Sequence, residues 1–452
     1  MSERLVVIGG DAAGMSAASQ ARRLRPDPAD LRIVVFEQGP VTSYAACGLP
    51  YVVGGEVDEF DRLVVRTPEE FAERDIEAFV RHEVTGVDTA ARTVTVTGLD
   101  RGDERTESYD HLLIATGSVT LRPPVPGLDA DGVHELRTIP DGRALDAAAG
   151  RARRAVVVGG GYIGLEVAEQ LRRRGLGVTL VEGADQPMTT LDPDMASHVT
   201  DALERLGVEV RLGHQVERID VDDGAARAVV TAEGSFPADL IVLGMGVRPA
   251  AGLAEAAGVP LGDAGGIVVD ERQRTTVPGV WAAGDCVESH HRISGRSVVV
   301  ALGTHANKQG RVAGTNLGGG DATFDGVLGT AITRVGDLEV ARTGLNEAEA
   351  ADAGFDHVSA TAAATSRAGY FPGAEDAVVK LVAERSSGRL LGGQVVGGDG
   401  AGKRIDTIAT ALWTSMSVRD LAGVDLAYAP PFSPVWDPVL LAAGRTVGAL
   451  DG

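Results

Sequence analysis

Cys47 stands in the segment Ser43-Tyr44-Ala45-Ala46-Cys47-Gly48-Leu49-Pro50-Tyr51 and is one of two cysteines in the chain. A cysteine ahead of a glycine and a short turn can sit at a helix N-terminus, where the dipole favours the thiolate that attacks disulfides. The plainer alternative is a small buried hydrophobe. No second cysteine lies close in sequence, so a redox disulfide between neighbours is excluded. Two cysteines also cannot build a disulfide scaffold, a cysteine-rich zinc site or an iron–sulfur centre, and no metal is expected. A second kind of chemistry is written in glycines. Gly9-Gly10-Asp11-Ala12-Ala13-Gly14 follows the apolar run Arg4–Ile8 and opens an Ala-rich helical stretch to Arg25, after which Leu31–Phe36 ends in Glu37. Backbone N–H groups at such a turn cradle a pyrophosphate, and the closing acid can accept hydrogen bonds from a ribose. Asp11 occupies the middle glycine position, which leaves an ordinary strand–turn–helix open as the alternative here. Gly159-Gly160-Gly161-Tyr162-Ile163-Gly164 repeats the grammar with its glycines intact, between Ala155–Val158 and a helix to Arg174, and Val178–Val181 ends in Glu182. Gly183-Ala184-Asp185 follows with no Arg or Lys to meet a 2′-phosphate, so NADH is expected, with NADPH as the alternative.

Two such units in one chain are the pattern of a flavoprotein that takes hydride from a nicotinamide. In that setting Asp285, in Ala283-Gly284-Asp285 after the short strand Val280–Ala282, would hydrogen-bond a ribityl or phosphate group of FAD. A helix N-cap is its structural alternative.

The elements that must position these residues fit about three domains in 452 residues, at roughly 150 residues each. Strand-like runs occur at Glu83–Thr97, Leu112–Gly117, Leu240–Leu243, Leu328–Val335, Val378–Val382 and Leu390–Val396. Helical patterns occupy the region around Ala306–Leu317, then Lys403–Thr414 and Val418–Leu421. The glycines 318–320 mark a boundary. The formal net charge of −22 argues against nucleic-acid or anionic-membrane partners. Lysine occurs only at 308, 380 and 403, so nearly all positive charge is Arg. No uncharged apolar run is long enough for a membrane span. The N-terminus lacks signal-peptide order, and a cytoplasmic location is expected.

Taken together, these motifs resemble the single-cysteine branch of the pyridine nucleotide–disulfide oxidoreductases, with its coenzyme A-disulfide reductases, NADH persulfide reductases, NADH oxidases and NADH peroxidases. The marks are Ser43, Cys47 and Pro50 in S-x-x-x-C-x-x-P, Ala115-Thr116-Gly117, the second glycine turn, Ala283-Gly284-Asp285 and Tyr428-Ala429-Pro430-Pro431-Phe432. The resemblance spans essentially the whole chain. It implies an α/β fold: two Rossmann-like dinucleotide-binding domains, for FAD (1–117 with 245–325) and NADH (118–244), plus a C-terminal α+β dimerisation domain (326–452). Cys47 becomes the redox-active thiol, with Ser43, Tyr428 and Tyr370 as further catalytic candidates and the tyrosines supplied by the partner of a homodimer. Phe371 stands where the family often has a second tyrosine, and Arg367 where it has a histidine. Gly9, Asp11, Ala12, Ala13, Gly14, Glu37, Ala115, Thr116, Gly117, Gly284 and Asp285 are expected at FAD. Gly159, Gly161, Tyr162, Ile163, Gly164, Glu166 and Glu182 are expected at NADH, Tyr162 and Glu166 gating and binding the nicotinamide. Arg22 and Arg23 would meet the phosphates of coenzyme A, with Arg62 and Arg66 adding charge, and Cys286 is structural. The resemblance implies reduction of a small disulfide such as CoA disulfide, an NADH-dependent persulfide or polysulfide reductase or an NADH oxidase being the alternatives. The first glycine loop carries no histidine, which disfavours the oxidase and peroxidase activities. No rhodanese segment follows, which tilts the expectation toward a stand-alone CoA-disulfide reductase. Two other classes are an electron-transfer reductase of an iron–sulfur partner, which would not need Cys47, and a non-enzymatic FAD- and NADH-binding protein.

Overall fold

The computed structural model describes residues 2–452. Its first sheet is five parallel strands in the spatial order Val280–Ala282, His111–Ile114, Glu3–Ile8, Leu31–Glu37, Ile76–Val80. Continuous apolar strands suit a parallel sheet covered on both faces. The helices Ala12–Leu24 and Gly303–Leu317 pack together on one face, and the antiparallel ribbon His82–Asp88, Thr93–Gly98, Glu104–Ser108 contributes Val84, Val94 and Val96 to the core on the other.

The second sheet repeats the arrangement, with parallel strands in the order Val208–Arg211, Gly177–Val181, Arg154–Val158, Leu240–Leu243, Val133–His134. The chain passes between the two units at Ser118–Thr120 and returns at Val247–Pro249, and these segments pair as an antiparallel ribbon. The short helix Leu49–Val53 behind Cys47 buries Leu49, Val52 and Val53 in the second unit's core, so the cysteine segment is clamped between units.

The third sheet is antiparallel, in the order Ala331–Val335, Leu338–Gly344, Leu390–Gly397, Asp376–Glu384, His357–Thr365. Helices Ile405–Trp413 and Pro438–Asp451 cover it. The first of these strands starts at Ala331, later than the run from Leu328 implies, because Gly329 adopts a positive φ of 64°. This sheet is tied to the second unit by the buried Lys380, whose Nζ lies 2.8 Å from Asp194 and Glu347 and 3.2 Å from Asp192. Among the described residues, no helix is long and apolar enough to cross a membrane.

Candidate active site

The two glycine turns are built alike. Gly9 and Gly159 take φ of +105° and +104°, and a Cβ on either would lie 2.2 Å from Ala115 O or 2.4 Å from Gly244 O. Only glycine tolerates both demands. Gly14 and Gly164 let each helix approach its turn, since a Cβ there would fall 1.9 Å from the carbonyl oxygen of Gly9 or Gly159. The closing acids brace the turns from behind. Gly10 N–H donates to Glu37 Oε2 at 2.7 Å and Gly39 N–H to Oε1 at 2.6 Å. Gly160 N–H donates to Glu182 Oε2 at 2.5 Å and Ala184 N–H to Oε1 at 2.8 Å. A carboxylate offers about four acceptor sites, so each acid keeps capacity for ribose hydroxyls. Neither helix has a side-chain cap or a first-turn acid, so their leading N–H groups remain suited to a phosphate. Asp11 does not disrupt the first turn. Its Oδ1 accepts from Tyr44 N–H at 3.1 Å, which ties the turn to the cysteine segment. Burial, the largest influence, pushes its pKa up to about 6.

Cys47 is exposed within the single turn Ala46–Gly48, ahead of the five-residue helix Leu49–Val53. The expectation of a thiolate favoured by a helix dipole fails here, because so short a helix has little dipole to offer. Desolvation, followed by the Glu166 carboxylate, pushes the thiol's pKa up, Asp285 adds to this, and Arg137 opposes it. Ser43 is held through its backbone. At φ 50° its N–H donates to Gly10 O at 2.8 Å, and its own carbonyl accepts from Val65 N–H at 2.8 Å. Cys286 is fully buried, its Sγ 3.4 Å from Ala283 O and 3.6 Å from Ile114 O. Desolvation holds its pKa near 11, in keeping with the structural role expected of it.

Cys47 and Pro50 open onto a cavity of about 890 Å³ that also receives Gly159, Gly161, Tyr162, Ile163, Glu166 and Glu182. One chamber thus joins the thiol to the second glycine turn. Glu166 is held by Thr333, whose Oγ1 donates to its Oε1 at 2.9 Å, and burial pushes its pKa up. Tyr162 is likewise raised by burial. Ala331 and Ile332, from the first strand of the third sheet, complete the wall.

Asp285 is not a helix N-cap. It lies in a turn, and the next helix begins only at Gly303. Its Oδ2 accepts from Ser118 Oγ and from Arg137 Nη2, each at 3.0 Å. Thr116 Oγ1 donates to Ala250 O at 2.7 Å, which makes that side chain a fastener of the returning strand. Arg137, Tyr44, Tyr51 and Ser118 were not singled out by sequence reasoning. Tyr51 follows Pro50 directly and lines the cavity, its hydroxyl pushed up to about 12 by burial and by Glu166. Arg137 had one local signal, its place just ahead of the Thr138–Asp141 capping box.

The four candidate phosphate-binding arginines have different surroundings. Arg22 is buried, with Nη2 donating to Leu31 O at 2.7 Å and Asp75 O at 2.9 Å and Nη1 to Arg25 O at 2.9 Å. It is a strut between helix and sheet edge, with both Nη nitrogens bonded to carbonyls and its Nε buried without a partner. Arg22→Met is therefore expected to lower unfolding stability by roughly 1–3 kcal/mol without changing KM for a disulfide, as read by denaturant melts and steady-state kinetics. Arg23 is exposed beside Gln20, Arg62 pairs with Asp58 at 3.4 Å, and Arg66 lies over the Phe71 ring at 5.2 Å. None of the four lines the Cys47 cavity.

Nor do Tyr370 and Tyr428 line the cavity of their own chain. They adjoin on the third domain, 78% and 47% exposed, and Tyr370 pushes the Tyr428 pKa up. Phe371 is the more sheltered neighbour, its N–H donating to Ala368 O at 2.7 Å. Phe432, Val435 and Trp436 are also exposed in the segment after Tyr428.

Residues 3–310 match the pyridine nucleotide-disulphide oxidoreductase family, and residues 330–438 match its dimerisation domain. The NAD(P)H coenzyme A polysulfide/persulfide reductase of Pyrococcus horikoshii is 38% identical over 449 residues, covering 98% of each chain. The coenzyme A disulfide reductase of Staphylococcus haemolyticus is 32% identical, over 95% of this chain and 96% of that protein. The solved structure of an NAD-dependent persulfide reductase from A. fulgidus superposes with a TM-score of 0.96 at 40% identity, covering 99% of this chain and 84% of that one.

Proposed function

Because the chain belongs to the pyridine nucleotide-disulphide oxidoreductases, we propose that it is an FAD-dependent NAD(P)H:disulfide oxidoreductase that reduces a coenzyme A-linked disulfide or persulfide through Cys47. The observation that carries this reading is the shared chamber, where the thiol, Tyr162, Glu166 and the second glycine turn face one space. The higher identity to the persulfide reductases than to the disulfide reductase favours the persulfide arm as a second reading.

FAD, when bound, supplies the two-electron relay between nicotinamide and sulfur. The first glycine turn, Glu37 and Asp285 are suited to hold it, since the helix after the turn has no side-chain cap on its leading N–H groups and Asp285 is fixed by two donors. Gly159, Gly161 and Gly164 would cradle the pyrophosphate of NADH, Glu182 its ribose, and Tyr162 and Glu166 would flank the nicotinamide. Cys47 as thiolate attacks one sulfur of a disulfide, or the outer sulfur of a persulfide, forming a mixed disulfide or a Cys47 persulfide and releasing one thiolate. That leaving thiolate takes its proton from a tyrosine hydroxyl. Return of two electrons to the Cys47 sulfur frees the second product and restores the thiol.

In this reading the hydroxyl is Tyr428 or Tyr370 of a second copy, supported by their exposure together and by their absence from the chamber of their own chain. The protein is expected to sediment as a dimer at assay concentration. Tyr370→Phe with Tyr428→Phe is expected to lower kcat by about 10²-fold while leaving NADH reduction of the flavin intact. A fully active monomer would contradict it. The deciding experiment for substrate is steady-state NADH oxidation with CoA disulfide, CoA persulfide, polysulfide, oxygen and peroxide. Turnover confined to oxygen or peroxide would overturn the disulfide and persulfide readings alike.

A further inference from the structure

Arg137 lines the same chamber as Cys47 and is fixed in place by three side-chain hydrogen bonds. Its Nε donates to Ser118 O at 3.1 Å, and its Nη2 to Ser118 Oγ at 2.7 Å and Asp285 Oδ2 at 3.0 Å. These bonds occupy one edge of the guanidinium and leave Nη1 with no bond to a protein acceptor among the described residues. The backbone of Arg137 is engaged too. Its N–H donates to Asp141 Oδ2 at 3.2 Å, and its carbonyl accepts from the Tyr44 hydroxyl at 3.3 Å. Tyr44 belongs to the cysteine segment, three residues before Cys47, and its N–H is in turn held by Asp11. One residue therefore grips the segment that carries the thiol and presents a fixed positive charge in the chamber where that thiol lies.

We propose that Arg137 is a positioning residue for the Cys47 chemistry: its anchored guanidinium stabilises the Cys47 thiolate, and its carbonyl holds the thiol's loop through Tyr44. This rests on the reading of Cys47 as the reactive thiol. The need for such a residue follows from the site's charge. The groups acting on Cys47 are the carboxylates Glu166 and Asp285 and the single guanidinium of Arg137. Beyond them lie Asp11 and Glu37, also acidic, and the neutral hydroxyls of Tyr44 and Tyr51. A five-residue helix supplies little dipole, so the one cation in this ring opposes two nearby carboxylates. The Asp285 contact has a second effect, because pairing Asp285 with Arg137 partly cancels the charge of one of the two opponents. Losing Arg137 would thus remove the attraction and unmask a repulsion together.

The test measures the pH profile of Cys47 alkylation by iodoacetamide in the NADH-reduced holoenzyme, from pH 5 to 9, with the modified peptide read by mass spectrometry. Arg137→Gln is expected to move the midpoint upward by about one unit, an approximately tenfold slower reaction below it. Arg137→Lys should recover most of the shift, since it keeps the charge but not the fork. Ser118→Ala keeps the guanidinium but removes one of its anchors, and should give a smaller upward shift. This variant carries the test if Arg137→Gln does not retain its flavin. Profiles in Arg137→Gln and Ser118→Ala that superimpose on wild type overturn the proposal. That failure is distinct from a failure of the thiol reading, which would appear as a Cys47 inert to alkylation at every pH in the unmodified protein.

Discussion

Cys47→Ser is expected to abolish disulfide and persulfide reduction while the protein keeps FAD and still reduces it with NADH. The physical reason is that serine preserves the volume and loop geometry but not the nucleophile. An alcohol is not ionised near neutral pH and cannot form a mixed disulfide. At least about a thousandfold loss of kcat, equivalent to ~4 kcal/mol of barrier, should separate this variant from wild type. Cys286→Ser should remain within a few-fold, because Cys286 is fully buried and its thiol is held near a pKa of 11. Stopped-flow reduction of the flavin by NADH and steady-state turnover with a disulfide distinguish the two half-reactions. Retained disulfide turnover in Cys47→Ser would point to the electron-transfer class, in which reducing equivalents leave without a thiol intermediate. Loss only in Cys286→Ser would place the reactive sulfur in the core of the first unit, where the packing leaves no approach for a substrate.

The twin turns were legible because their requirement is local. A positive φ at Gly9 and Gly159 and a close helix approach at Gly14 and Gly164 select glycine whatever else the chain does. The same holds for the acids at the ends of Leu31–Glu37 and Gly177–Val181 and the backbone they brace. Arg137 was illegible for the opposite reason. Its partners Ser118 and Asp285 come from the linker ribbon and from the returning half of the first unit, and nothing in the neighbouring residues announces the meeting. Arg22's surroundings were illegible too, because helix position says which side a residue occupies, not that its two Nη nitrogens would bond three carbonyls. The strand His357–Thr365 hides among alanines and threonines, with weak alternation to betray it. Its long pairing with Asp376–Glu384 compensates for that weak local preference. The thiol's environment was the least legible of all, since its charges arrive from three separate segments.

Exchanging the coenzyme preference is the second large effect expected, and the brace at Glu182 dictates how to attempt it. Wild type should favour NADH, because a 2′-phosphate would stand against the Glu182 carboxylate at the end of Gly177–Val181. Two unit charges about 4 Å apart repel by ~4 kcal/mol at an effective dielectric near 20, which sets the scale of discrimination. Simply deleting the acid is a poor design. Glu182 also accepts from Gly160 N–H and Ala184 N–H, and an apolar replacement would leave both donors of the turn without it. Glu182→Gln retains a carbonyl oxygen for Gly160, and Ala184→Arg, at a cavity-lining position, brings a guanidinium to the phosphate. The pair should move the kcat/KM ratio of NADPH to NADH by about 10²-fold, or ~2.7 kcal/mol. Most of the gain should appear in KM, since the contact is far from the hydride and acts equally in ground and transition states. Wild-type NADPH efficiency equal to that of NADH would remove the premise, because the carboxylate would then be facing something other than the ribose.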